Sequence, residues 1–247
     1  MKFTITEKIE TVRRLKQIFI DMDADNIVKL AYEEFKDQMA VTTAFGYSGI
    51  ILLSIIKKYA PEIEIFFIDT RFHFEETLKL RDKLLKEWKL NIKTIQPSFT
   101  ESELENLIGK EPYKTNPDIC CHYRKVEPLL RILRSKQVWL SAIRRDQSIT
   151  RAEIESIEID QRGVIKINPL YKWTRDDAWM YIRKYNLPYN LLHDQYYYSI
   201  GCKPCTSPVD EGGDERDGRW KDFMKLECGI HLYEKKDAKT SLNSNKR

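Results

Sequence analysis

Five cysteines carry the chemistry this chain can perform. Four fall into two tight pairs, Cys120-Cys121 and Cys202-Lys203-Pro204-Cys205, and the fifth, Cys228, stands alone in Glu227-Cys228-Gly229-Ile230-His231. That division predicts four thiolate ligands around one inorganic centre and a separate reactive thiol. A disulfide framework is the poorer reading, because cystine scaffolds belong to small secreted domains of higher cysteine density. Neighbouring residues on regular backbone project in different directions, so an adjacent pair reaches two corners of one tetrahedral zinc only with strain. A cubane gives each thiolate its own iron. This makes a [4Fe-4S] cluster the favoured reading, zinc the second, and two unrelated pairs of buried core cysteines the third.

The elements that must position these thiols follow from periodicity. Residues 6–39 place apolar side chains at helical spacing, broken at 21–26 by Asp21, Asp23, Asp25 and Asn26, which predicts two preliminary helices. The β-branched run from Ala40 to Phe45 then predicts a strand, the sequence Gly46-Tyr47-Ser48-Gly49 a turn, and Ile50 to Tyr59 a helix. A second strand is expected over 62–70, a helix over 74–88 and a third strand over 92–95. Beyond two prolines, the cysteine pair is expected to open a helix running to Arg134, followed by a strand over 137–143. Residues 154–170, with Gly163 at a turn, predict a hairpin or irregular arm, and 174–185 a well-capped helix. Alternating strands and helices with apolar strand interiors imply an α/β fold, a parallel sheet with helices on both faces. Ligands of such sheets sit beyond the carboxyl ends of the strands, so the turns after Phe45, Asp69 and Ile143 should share one site.

Composition sets the outer bounds. At 247 residues, 42% apolar and 32% charged, the chain can bury a full core, and a net charge of +4 without a long basic block gives no case for nucleic-acid binding. The longest apolar stretch, Gly49 to Ile56, is too short to span a bilayer, and the N-terminus lacks a signal-peptide pattern, so a cytoplasmic protein is expected. The expected organisation is an N-terminal helical extension (1–39), a nucleotide- and cluster-binding domain (40–209), a mobile C-terminal lid carrying the lone cysteine (210–234) and a disordered basic tail (235–247).

Six stretches taken together resemble a known family. They are Asp69-Thr70 with Phe74-Glu75-Glu76-Thr77; Cys120 through Leu129; Ile143-Arg144-Arg145-Asp146-Gln147-Ser148; Ser199 through Thr206; Glu215-Arg216-Asp217-Gly218-Arg219-Trp220; and Glu227 through His231. In this order and spacing they resemble the assimilatory sulfonucleotide reductases, the thioredoxin-dependent adenylyl-sulfate and phosphoadenylyl-sulfate reductases. The resemblance implies a Rossmann-like fold of the adenine-nucleotide α-hydrolase type. It also implies a [4Fe-4S] cluster on Cys120, Cys121, Cys202 and Cys205, which looks like the adenylyl-sulfate branch, and a nucleophile at Cys228. A thioredoxin or glutaredoxin is the implied reductant; a homo-oligomer stays open.

The first turn departs from the family's pattern. A serine-rich turn followed by acidic residues is usual, and here Ala44-Phe45-Gly46-Tyr47-Ser48-Gly49-Ile50 carries no carboxylate; Ala142 also stands where a glycine is usual. For a substrate with adjoining phosphate and sulfate, the expected contacts are the backbone of Gly46, Ser48 and Gly49 at a helix start, together with Lys125, Arg144, Arg145, Arg216, Arg219 and His231. The adenine is expected near Phe45, with backbone hydrogen bonds from Ile68 to Thr70, and Asp69 near a ribose hydroxyl; the alternatives are a helix-capping role for Asp69 and a core role for Phe45. The 3′-phosphorylated substrate is the runner-up. A tRNA thiolase is disfavoured because the pyrophosphate-binding serine-glycine-glycine loop is absent, and a zinc-stabilised nucleotide-binding module is the non-enzymatic alternative.

Overall fold

The computed structural model describes residues 3–231. Two helices come first, α1 (Ile5–Phe19) and α2 (Ala24–Phe35), started by the side chains of Thr4 and Asp23, each of which accepts a hydrogen bond from a backbone amide of the first turn. Then follow β1 (Met39–Thr43), α3 (Tyr47–Tyr59), β2 (Ile65–Ile68), α4 (Glu75–Trp88) and β3 (Ile92–Ile95). Three short helices, α5 (Glu101–Ile108), α6 (Pro112–Thr115) and α7 (Pro117–Cys121), lead through a π turn at His122–Val126 into α8 (Glu127–Leu133). The remainder is β4 (Val138–Leu140), β5 (Ile157–Ile159), β6 (Ile165–Ile167), α9 (Arg175–Lys184) and a C-terminal stretch of turns.

The six strands form one sheet in the order β3-β2-β1-β4-β6-β5, parallel except for β5, which pairs antiparallel with β6. Its register aligns Ile65, Val41, Leu140 and Ile167 as one fully buried row across four strands. That row belongs to the larger core, closed by α1, α2, α3 and α9. The alternate residues Ala40, Phe66 and Trp139 face the other way and pack on Leu129, Ile132 and Leu133 of α8. Helices therefore cover both faces, as the apolar strands require.

The chain leaves β1 toward β2 on one side, while β4 lies on its other side, so the strand order reverses at β1 and opens a crevice at the carboxyl ends. Three boundaries differ from expectation for local reasons. Helix α3 starts at Tyr47, with Gly46 as its cap, so the predicted 46–49 turn is the helix's own first turn. Strand β4 ends at Leu140, and Ser141, Ala142 and Ile143 leave the sheet to line the crevice. The cysteine pair closes α7 rather than opening a helix, because Asn116 caps that helix through the Ile119 amide and Pro117 occupies its first position. Residues 154–170 do form a hairpin, β5–β6, joined to the sheet edge. The predicted tail, 235–247, lies outside the described residues.

Candidate active site

A cavity of about 230 Å³ occupies the crevice. Its floor comes from the strand ends, at Thr42 and Thr43, Ile68 and Thr70, and Ser141 to Ile143; Gly46 to Gly49 bring in the start of α3. The helix start directs its free amides toward the cavity, a standing site for anionic groups. Lys125, Cys202, Arg216, Arg219, Cys228 and His231 line it as well.

Lys125 reaches the cavity through the π turn. The extra residue in that turn lets both Arg124 and Lys125 bury their stems, Arg124 over the Phe72 ring with its guanidinium donating to the Thr70 carbonyl at 3.0 Å, Lys125 among the thiols. Burial is the largest influence on Lys125 and lowers its pKa, yet the neighbouring Cys202, Cys228 and Cys121 outweigh it and hold the ammonium protonated. For Cys228 the balance runs toward a lower pKa. Burial raises its pKa as the largest single influence, but Lys125, the Ile230 amide and Arg219 together bring it below the ordinary thiol value.

The paired thiols behave in the opposite way. Burial pushes Cys120 up to about 11 and Cys121 up to about 12, and raises Cys205 as well. Cys120 lies within electrostatic reach of Cys202 and Cys205, and Cys121 of Cys202, although the two pairs come from a helix end and a loop. Cys202 also donates to the Thr70 hydroxyl at 3.3 Å.

The arginines divide. Arg219 sits over the Trp220 ring at 4.4 Å, donates to the Cys205 carbonyl, and has its guanidinium against Gly201, where any side chain would strike it. Arg216 contacts the Leu226 carbonyl at 2.8 Å and Glu227 at 3.2 Å. Burial and then Arg151 push its guanidinium down to about 10, against the opposing pull of Glu227. Arg144 and Arg145 do not line the cavity. Arg144 is fully buried with every nitrogen engaged, by Asp146, Ser48, Tyr47 and Glu215, and Arg145 donates to the Ile154 carbonyl and packs on Tyr171. The carboxylate that the first turn lacks in sequence arrives from Glu215, which accepts from Tyr47 at 2.5 Å and from Arg144 at 2.6 Å.

Asp69 and Phe45 also stand apart from the cavity. Asp69 accepts from the Arg71 amide at 2.9 Å and closes a local turn, while Phe74 occupies the cap position of α4. Phe45, at φ 56°, turns its ring back into the core against Phe67. His231 stacks on Trp139 with ring planes 2° apart. Three residues unforeseen from sequence share the site: His73, His193 and Arg151. Arg151 grips Glu227 with two nitrogens, each at 2.8 Å, and its signal was its place three residues after Ser148 in the arginine-rich stretch.

Residues 38–208 match the model of the phosphoadenosine phosphosulfate reductase domain, more than half of the chain. The chain belongs to that family. A protein of Halalkalibacterium halodurans named adenosine 5'-phosphosulfate reductase is 40% identical over 89% of this chain and 96% of its own length. One of the same name from Bacillus cereus strain Q1 is 44% identical over 81% of this chain and 87% of its own. Among solved structures, the phosphoadenylyl-sulfate reductase of Candida auris superposes with a TM-score of 0.71 at 28% identity, covering 85% of this chain and 99% of that one. The FMN adenylyltransferase of Candida glabrata shares the fold alone, at a TM-score of 0.55 and 13% identity over 90% of this chain and 85% of that one. The family's adenine-nucleotide α-hydrolase architecture is thus the one expected from the motifs. Among the described residues no helix is long and apolar enough to cross a membrane.

Proposed function

We infer that this chain is a thioredoxin-dependent adenylyl-sulfate reductase of sulfate assimilation, releasing sulfite and AMP through an S-sulfocysteine at Cys228. One observation carries the reading: a thiol with a lowered pKa shares a cavity with the start of α3 and with Lys125, Arg216 and Arg219. The nucleotide end is supported by the crevice at the strand ends, where the relatives' printed substrate, a sulfated adenylate, fits by its class. The strand ends bind the nucleoside, and the α3 start and the arginines hold phosphate and sulfate.

The Cys228 thiolate attacks the sulfate sulfur. The S–O bond to the α-phosphate breaks, and AMP leaves with the electron pair. A thiolate of thioredoxin or glutaredoxin next attacks the Cys228 sulfur; sulfite departs with the S–S electron pair, and a mixed disulfide remains. The carrier's second thiol resolves it, returning the Cys228 thiolate and leaving the carrier oxidised by two electrons. Lys125 and Arg219 stabilise the thiolate and the sulfate oxygens in the first step.

The paired cysteines fit an inorganic centre. Among the described residues no three Cys, His, Asp or Glu side chains converge as one metal ion requires. The mutual reach of the two pairs suits a group that offers each thiolate its own iron, and thiols at about 11 and 12 become thiolates at neutral pH only against such a centre. Cys120, Cys121, Cys202 and Cys205 would hold a [4Fe-4S] cluster. Bound there, it supplies a fixed inorganic charge beside Lys125. Anaerobically purified protein should be brown and carry four irons, a count on the order of the cubane's own; colourless, zinc-loaded protein would refute this assignment.

The deciding experiment is a single turnover without reductant. Incubation with adenylyl sulfate labelled in the sulfate should leave SO₃ on the Cys228 peptide, and Cys228→Ser should leave none. The same assay with the 3′-phosphorylated nucleotide ranks the two substrates. Label on another cysteine, or none with either nucleotide, overturns the reading.

A further inference from the structure

The residues flanking Cys228 are held from a part of the fold that never touches the cavity. In the turn of the β5–β6 hairpin, Arg162 sends one guanidinium nitrogen to two successive carbonyls, Gly229 at 2.8 Å and Ile230 at 2.9 Å. Its other terminal nitrogen binds Asp160 at 2.8 Å. The same Asp160 accepts the amides of Arg162 and Val164, so one carboxylate both closes the turn and aims the guanidinium. Gly163, at φ 73°, supplies the left-handed residue that the turn needs, and its carbonyl accepts from Lys8 at 2.6 Å, tying the turn to α1. Arg162 is mostly buried and is not among the cavity-lining residues.

On the other side of the thiol, Glu227 is fixed by Arg151, Arg216 and Thr150. Glu227 does not line the cavity either. Position 228 is thus suspended between a seated side chain before it and a seated backbone after it. Contacts to carbonyls do not depend on which side chains follow, and they register the chain: a slip of one residue would carry the thiol away from Lys125. Gly229 itself, at φ 82°, makes the bend between the two seats.

We propose that Arg162 is a positioning residue for Cys228, holding the Gly229 and Ile230 carbonyls so that the thiol stays over the cavity, with the Arg151–Glu227 pair as the opposing hold. The segment must let go for a protein dithiol to reach Cys228, and the holds on either side of the thiol are hydrogen bonds and ion pairs, which exchange with water, beside the packing of Ile230 and the His231 ring against Trp139. The proposal rests on Cys228 being the nucleophile, but it concerns the segment's placement, which can be read independently.

The test uses the iron-loaded full chain, kept anaerobic, as wild type, Arg162→Ala and Arg162→Lys. Three quantities are measured: the rate of Cys228 alkylation by iodoacetamide followed by peptide mass, the single-turnover transfer of SO₃ from adenylyl sulfate, and the affinity for AMP. Losing charged hydrogen bonds to two carbonyls should raise Cys228 alkylation about tenfold. Transfer should fall about tenfold through misplacement of the thiol, with AMP affinity unchanged. Arg162→Lys, which cannot reproduce the planar fork, should fall between the two. Unchanged alkylation and transfer in Arg162→Ala overturns the proposal. So does equal acceleration of alkylation at all five cysteines with loss of AMP binding, since that marks a merely structural residue. If wild type takes no SO₃ at Cys228, the functional reading fails, and alkylation alone decides whether Arg162 holds the segment.

Discussion

The helix end at Cys120-Cys121 and the turn at Cys228 offer the same functional group in neighbouring surroundings, and the two regions do opposite things with it. Burial is the largest influence on the thiols in both, and it favours the neutral form. At the helix end it prevails, and the pKa values climb to about 11 and 12. At Cys228 it is overcome by the Lys125 ammonium, the Ile230 amide and Arg219. The difference lies in the backbone as much as in the charges. Within a helix the amides are already engaged, whereas a turn can aim a free amide at its own sulfur. The proposed roles follow that difference: an inorganic centre would deprotonate the thiols of the first region, and the second is the proposed seat of the nucleophile.

The sharpest way to break this comparison is to exchange the consequences of losing a thiol. Cys228→Ser should lower turnover by a factor on the order of 10⁴ or more and keep its iron and visible absorbance. Cys121→Ser should lose iron and colour first and activity as a result. Iron content and sulfite release, measured on the same preparations, separate the two. If Cys121→Ser kept a full iron complement, or Cys228→Ser still released sulfite at the parental rate, the division of labour would be wrong.

Next in size is Lys125→Met. Removing a buried charge that faces both the thiolate and the sulfate oxygens should cost about a hundredfold in kcat/KM. It should also move the pH dependence. With Cys228 as the proposed nucleophile reacting as its thiolate, activity should be lost as pH falls through its pKa. Without Lys125 that pKa rises, and the acid limb of the kcat/KM profile shifts to higher pH. A drop in rate with an unmoved limb would mean that Lys125 serves the substrate alone and not the thiol.

Much of this was legible in the sequence, and the parts that were not share a cause. Strand β3 and helices α4 and α9 fell where periodicity and capping residues put them. Arg144 misled because an arginine beside a motif reads as a free fork, and only the fold reveals that Ser48, Tyr47, Asp146 and Glu215 consume it. Phe45 misled because a left-handed φ, which reverses its direction, is invisible in a residue that is not glycine. Glu227 stood in a motif that gave no sign of its partner, and Arg162 stood in none, since the contacts they make lie 76 and 67 residues away in the chain.

Gly201 gives a smaller effect that probes the loop side of the comparison. A methyl group at this position would lie 2.3 Å from the Arg219 guanidinium and would push that flexible side chain off its place on Trp220. Gly201→Ala should raise KM about tenfold, the loss expected for one charge-assisted contact to an anion, with kcat changed less. Since Arg219 also helps hold the Cys228 thiolate, a fall in kcat equal to the rise in KM would assign that arginine to the nucleophile rather than to the substrate.

The contrast between buried groups of one kind recurs among the lysines, and there it predicts a change in stability. Lys125 faces thiols and is held charged; Lys166, on β6, lies over the Trp139 ring with Glu158 at 3.4 Å, and burial pushes its pKa down to about 8. In the unfolded chain a lysine keeps its proton to about pH 10.4. Between these two values the unfolded state binds more protons than the folded one, so this group makes the protein more stable as pH rises. Below pH 8 both states are protonated and the cost of the buried charge is constant. The gain should amount to about 1 kcal/mol between pH 8 and 9, and Lys166→Met should remove it. Denaturant unfolding of both proteins at pH 7, 8 and 9 checks the sign: the advantage of the methionine variant should be largest at pH 7 and shrink toward pH 9. A constant difference across that range would mean that Lys166 titrates alike in both states, and that its surroundings on β6 hold a buried ammonium as firmly as the thiols hold Lys125.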